Sequence, residues 1–204
     1  AIKPEKRMKE FQNLIYRTHD AGLKVIIDFV PNHVARQYQS ANRPEGVKDL
    51  GEEDDQTLSF SPQNNFYYIP GHPFQPGFDL QGSAPSPYEE CPAKATGNDN
   101  FSPSPGRNDW YETIKLNYGI DYCNGGERHF DPIPSTWFKM RDILLFWAGK
   151  GIDGFRCDMA EMVPVEFWAW AIPQVKCHYP SLVFIAEVYN PNEYRNYIYK
   201  GGFD

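Results

Sequence analysis

The chain has 204 residues, 41% hydrophobic and 23% charged, a balance close to that of folded globular domains and long enough for one or at most two of them. Lys and Arg number 20 against 27 Asp and Glu, a formal charge of −7, so there is no basic footprint of the kind that nucleic acid or an anionic membrane surface selects. No apolar run approaches the ~20 residues needed to cross a bilayer, and Cys91, Cys123, Cys157 and Cys177 lack zinc or redox spacing and are too few for a disulfide scaffold.

From Pro4 to Ala21, Met8, Phe11, Leu14 and Ile15 recur at three- and four-residue steps, which predicts an amphipathic helix stopped by Gly22. The opening AIKPEKRMKE has no apolar secretory stretch and reads as the interior of a longer protein. Leu23 to Val30 is a β-branched apolar run, expected as a strand buried on both faces of a parallel sheet. Asn, Gly, Pro, Asp and Tyr then dominate for about a hundred residues, far beyond an ordinary loop. This stretch predicts a separate irregular module over residues 34–133, with short strands near Phe66–Ile69 and Tyr111–Leu116. Regular alternation resumes in a helix from Ser135, with Trp137, Met140, Leu144 and Trp147 on one face, and then a strand over Ile152–Asp158. A helix broken or kinked at Pro173 covers Val163–His178, a strand covers Leu182–Val188, and Asn190-Pro191 starts a last short helix to Lys200. The organisation is therefore α/β, with segments 1–33, 34–133 and 134–204.

In α/β folds, chemistry collects at the carboxyl edge of the sheet. Each predicted strand delivers a carboxylate there: Asp28 in DFVPNH, Asp158 in GFRCD, Glu187 in AEVY. Period two places Arg156 and Asp158 on one face, where the guanidinium favours the neighbouring anion. Asp158 and Glu187 are 29 residues apart in sequence, one strand–helix–strand unit, which sets their strands side by side. Paired carboxylates are the apparatus of a retaining glycosidase, one as nucleophile and one as acid. On that reading a nearby negative charge and partial burial raise the pKa of Glu187. Alone, each residue also fits a cap, a surface charge or a structural ion pair. Cys157 and the tryptophans Trp137, Trp147, Trp168 and Trp170 read as core, whereas Phe66, Tyr67, Tyr68, Trp110 and Tyr111 have the better claim as sugar platforms.

Together DFVPNH, GFRCD and FIAEV, in this order and spacing, resemble the signatures at the ends of barrel strands three, four and five of the α-amylase family, glycoside hydrolase family 13. The resemblance covers nearly the whole chain. It implies a partial TIM (β/α)8 barrel with an irregular domain B inserted after strand three, and an enzyme that hydrolyses α-1,4-glucosidic bonds in an α-glucan or maltooligosaccharide. By it, Asp158 is the nucleophile, Glu187 the acid/base and Arg156 the group that orients Asp158. His33 contacts the sugar, Asp28 braces Arg156, and Asn32 corresponds to a calcium ligand in many members.

The sequence also departs from the family's pattern. Glu161 and Met162 stand where many α-amylases carry a Lys-His pair, whose histidine helps hold calcium. The fourth signature and barrel strands one and two are not found, so residues 1–204 are expected to be an inactive fragment with open sheet edges that self-associates. An α-glucan transglycosylase uses the same residues and stays open as an alternative, as does a non-catalytic sugar-binding or structural module.

Overall fold

The computed structural model describes residues 3–40, 43, 45–78 and 88–204; residues 79–87 of the irregular stretch, and the interpretation given to them, lie outside the described part. A 3₁₀ turn at Pro4–Lys6 leads into α1 (Arg7–Asp20). The helix ends because Gly22 takes a left-handed φ of +74°. There its N–H reaches the His19 carbonyl and the Leu23 N–H reaches the Thr18 carbonyl, which together satisfy two otherwise orphaned acceptors. Next come β1 (Ile26–Phe29), β2 (His33–Ala35), β3 (Tyr68–Ile69), β4 (Ala93–Lys94), β5 (Thr113–Lys115), β6 (Ile120–Asp121) and β7 (Glu127–Arg128). The chain continues through α2 (Ser135–Ala148), β8 (Gly154–Cys157), α3 (Val165–His178) and β9 (Val183–Ala186). Two compact units result: Ala1–Pro31 with Lys139–Asp204, and Asn32–Phe138.

The first unit is built on a parallel sheet in the order β1-β8-β9. Ile27, Phe155 and Phe184 stand level across it, as do Phe29, Cys157 and Ala186. This face packs on helix: Phe29 meets Trp168 of α3 with ring centroids 6.3 Å apart, and Phe155, Cys157, Phe184 and Trp168 are fully buried. Phe11 of α1 meets Trp147 of α2 edge-on at 5.6 Å. The opposite face carries Asp28 and Arg156 level with Ile185, and it is open: Ile26 is 45% exposed and Ile185 42%. The expected burial of β1 on both faces therefore fails, because among the described residues the helices cover only one face.

Other expectations shift with packing. Leu14 is exposed whereas Ile15 is buried, so the inner stripe of α1 is narrower than the apolar spacing implied. α3 runs unbroken through Pro173, although proline lacks a donor for the helical ladder. The last helix forms over residues 191–200 as expected, capped by the Asn190 side chain, but it is tight at Pro191–Glu193, a 3₁₀ turn, and wide at Asn196–Lys200, a π turn.

The second unit consists of short antiparallel ladders, β2 with β5, β3 with β4 and β6 with β7, of which only β3 and β5 match the anticipated strands. So little regular structure leaves side chains to satisfy the backbone. Arg36 does so from inside: it donates to the Tyr111, Lys94 and Thr113 carbonyls, pairs with Glu90 at 2.6 Å and lies 4.2 Å from the Phe74 ring centroid. Phe66, Tyr67 and Tyr68 are buried at 2–3% exposure, which makes them core rather than the sugar platforms suggested by the sequence. Trp110 and Tyr111 are only half-buried.

Candidate active site

The parallel register decides what meets at the edge of the first unit's sheet. Asp28 pairs directly with Arg156, and Cys157 with Ala186, so Asp158 and Glu187 emerge one step further on adjacent strands. Backbone bonds hold that step in line: Asp158 N–H donates to the Phe29 carbonyl at 2.8 Å, and Glu187 N–H to the Cys157 carbonyl at 3.0 Å.

One guanidinium gathers the three carboxylates. Arg156 Nη1 lies 2.9 Å from Asp28 Oδ1 and 2.7 Å from Asp158 Oδ1, while Nη2 lies 2.5 Å from Glu187 Oε1. These contacts, that to Asp28 foremost, raise the already high pKa of Arg156. Three carboxylates against one cation leave excess negative charge, an environment that stabilises positive charge developing on a bound group. Cys157, completely buried, has its thiol pKa pushed up by that burial and belongs to the core.

Glu187 departs from the sequence expectation. Its pKa is lowered, not raised. The largest cause is the Met159 N–H, donated to Oε2 at 2.8 Å; burial opposes it, and the Tyr189 hydroxyl, Arg156 and Asp158 add to the lowering. Met159 presents that N–H from a left-handed conformation, φ +47°, rare for a residue with a side chain. Tyr189 donates to Oε1 at 2.8 Å. Neither Met159 nor Tyr189 was singled out from the sequence; period two from Glu187 could have found Tyr189, but nothing in the sequence signals the turn at Met159.

His33 and Asn32 open the second unit. The His33 ring lies 5.4 Å from that of Trp110, centroid to centroid. Asn32 is buried at 1% exposure: Nδ2 donates to the Gly97 carbonyl at 2.7 Å and lies 3.3 Å from His33 Nδ1, and Oδ1 accepts from Lys115 Nζ at 3.0 Å. A calcium ion on Oδ1 would stand beside an ammonium group, so Asn32 does not fit the calcium role that the resemblance implied. Among the described residues no group of three or more His, Cys, Asp or Glu is arranged to hold a metal. Glu161 accepts from the Asn190 N–H at 3.0 Å.

Fold and site together define an α/β protein with an acidic centre at the carboxyl edge of a parallel sheet. The chain belongs to the α-amylase family: the model of the alpha amylase catalytic domain matches residues 6–182. Members of this family are glycosidases and related glucan-active enzymes. The chain is 39% identical over 57 residues to an alpha-1,4-glucan:maltose-1-phosphate maltosyltransferase of Cereibacter sphaeroides, a match covering 28% of this chain and 10% of that protein. It superposes on the native form of the Nostoc punctiforme debranching enzyme with a TM-score of 0.58 at 20% identity, over 96% of this chain and 31% of that one. An α-amylase from Geobacillus thermoleovorans, complexed with acarbose, gives 0.50 at 20% identity over 96% and 32%. The fold is thus part of an α-amylase-type (β/α)8 barrel with an insertion. The chain spans about a tenth of the curated relatives it matches and about a third of these solved chains.

Proposed function

We propose that this chain carries the nucleophile and the acid/base of a retaining enzyme acting on α-1,4-glucans, with Asp158 and Glu187 in those roles. The observation that carries the reading is the single Arg156 guanidinium holding both carboxylates at one sheet edge. An Asp158 oxygen attacks the anomeric carbon as the glycosidic C–O bond breaks, and Glu187 gives its proton to the departing oxygen. In the second step Glu187 takes a proton from an incoming O–H group, whose oxygen displaces Asp158 from the sugar. Two inversions leave the configuration retained.

The lowered pKa of Glu187 suits the second step, where it acts as a base. For the first step it must hold a proton, and a sugar seated over the edge supplies the change: it excludes water from the carboxylate and raises its pKa. His33 and Asp28 complete the reading, His33 as a sugar contact and Asp28 as the brace that holds Arg156.

Hydrolysis and transfer differ only in whether water or a sugar hydroxyl accepts the glycosyl group. Transfer is the second reading, favoured because relatives at 39% and 34% identity are named maltosyltransferases. The test is to give the whole protein a maltooligosaccharide in ¹⁸O-water, and separately maltose 1-phosphate with a maltooligosaccharide acceptor. Label at new reducing ends identifies hydrolysis, and chains extended by maltosyl units identify transfer. Either activity must fall by about 10³-fold or more in Asp158→Asn. A variant that keeps more than a tenth of wild-type turnover overturns the assignment of Asp158.

A further inference from the structure

Lys115 is the most deeply buried cation of the second unit, at 2% exposure, and the chemistry above does not use it. β5 carries it opposite His33 of β2, and its backbone N–H donates to the Ala95 carbonyl at 2.9 Å. A buried ammonium is tolerated only when its charge is compensated and its protons are placed. Here Nζ lies 2.5 Å from Asp99 Oδ1 and 3.0 Å from Asn32 Oδ1, and 5.5 Å from the centroid of the Tyr122 ring. Two oxygens and one ring face account for its three N–H groups.

The surrounding loop is shaped around this contact. Asp99 adopts a left-handed φ of +66°, a conformation uncommon for a residue with a side chain. Thr96 and Asn100 clasp it from either side: the Thr96 N–H reaches the Asn100 carbonyl at 3.0 Å, and the Asn100 N–H reaches Thr96 Oγ1 at 3.2 Å. Gly97, within that turn, accepts from Asn32 Nδ2. Asn32, the loop over residues 96–100, β5 and Tyr122 thus converge on one positive charge.

We propose that the Lys115 ammonium is the resident cation of this unit, standing at Asn32 in place of the calcium that the family resemblance implies, so that the unit holds together without a metal. The charge comes from the chain itself, and it occupies the Asn32 oxygen that a metal would need. The role is structural, and it is independent of the assignment of Asp158 and Glu187.

The test is thermal melting of the metal-stripped protein, with chelator and with excess calcium. The expected shift between the two is under about 1 °C. Lys115→Met keeps the stem and removes the charge, leaving the buried Asn32 oxygen without its donor while Asp99, 41% exposed, turns to water; its midpoint should fall by about 3–8 °C, with or without calcium. A calcium-dependent rise of several degrees in the wild type that Asn32→Ala abolishes would overturn the proposal, as would a Lys115→Met midpoint equal to that of the wild type. If Lys115→Met does not fold, the wild-type calcium experiment decides alone.

Discussion

Arg156 and Glu187 meet at 2.5 Å across adjacent strands, so the guanidinium beside the proposed nucleophile also grips the proposed acid/base. A planar fork can make both contacts at once, because separate N–H groups point at separate carboxylates; a lysine ammonium on a flexible stem cannot hold that geometry. Arg156→Lys in the whole protein should therefore cut turnover on maltooligosaccharide by about 10²-fold or more while circular dichroism stays unchanged. The Met159 N–H is the chief cause of the lowered Glu187 pKa and the Arg156 charge a lesser one, so with the charge kept but held less closely in Arg156→Lys the carboxyl carbon of Glu187 should titrate only slightly higher when followed by NMR. Wild-type turnover in Arg156→Lys would remove the fork from the mechanism.

How much of this was legible beforehand follows from where each property originates. Carboxylates at strand ends are a matter of period two and chain order, so Asp28, Arg156, Asp158 and Glu187 could be grouped from the sequence, and the register now brings their side chains together. The protonation preference of Glu187 could not be read, since its main determinant is a backbone N–H aimed by a left-handed Met159. The second unit was the least legible part. Its order comes from buried polar side chains such as Arg36 and Lys115, whose partners are distant in sequence and follow no period.

Arg36 and Glu90 are 4% and 3% exposed at their side chains, so removing Glu90 leaves Arg36 charged and dry, whereas Glu90 also has the Lys94 ammonium at 3.3 Å. Tyr88 and Lys94 also bond to Glu90, and neither can neutralise Arg36 in its place. Glu90→Gln should cost about 3 kcal/mol or more, read as a fall in urea midpoint at constant slope. Arg43→Ala breaks a pair whose arginine is 43% exposed, and should cost almost nothing. Equal losses in the two variants would show that burial does not set the worth of these pairs.

Asp153 ties the end of α1 to the start of β1, accepting from His19 Nε2 at 2.7 Å, Lys24 Nζ at 2.9 Å and the Val25 N–H at 2.8 Å. Burial pushes its pKa up, but these donors outweigh it and hold the group at about 2. The unfolded value is near 3.9. A depressed folded pKa means the contribution is whole above about pH 4 and is lost as pH falls toward 2. With Lys24 80% exposed, solvent screening reduces the contribution to about 1 kcal/mol. Asp153→Asn should therefore be less stable than wild type by that amount at pH 7, and the gap should begin to close below about pH 4. A gap of constant size from pH 7 to pH 3 would refute the linkage.

Residues 1–204 expressed alone should not turn over α-glucans, even though they hold the proposed nucleophile and acid/base side by side. The oxocarbenium-like transition state needs stabilising contacts from several strands of a barrel built from eight. The described residues contribute three parallel strands, and the chain matches only about a third of the length of the solved proteins it resembles. The face that bears Arg156 also leaves Ile26, Val183 and Ile185 38–45% exposed, apolar surface that seeks cover. Purified 1–204 should thus run as a dimer or larger species on a sizing column. It should give no more product from maltooligosaccharide than its Asp158→Asn counterpart. Turnover that the substitution abolishes would show that three strands suffice for the chemistry, and a monomer at every concentration would show that the exposed face needs no partner.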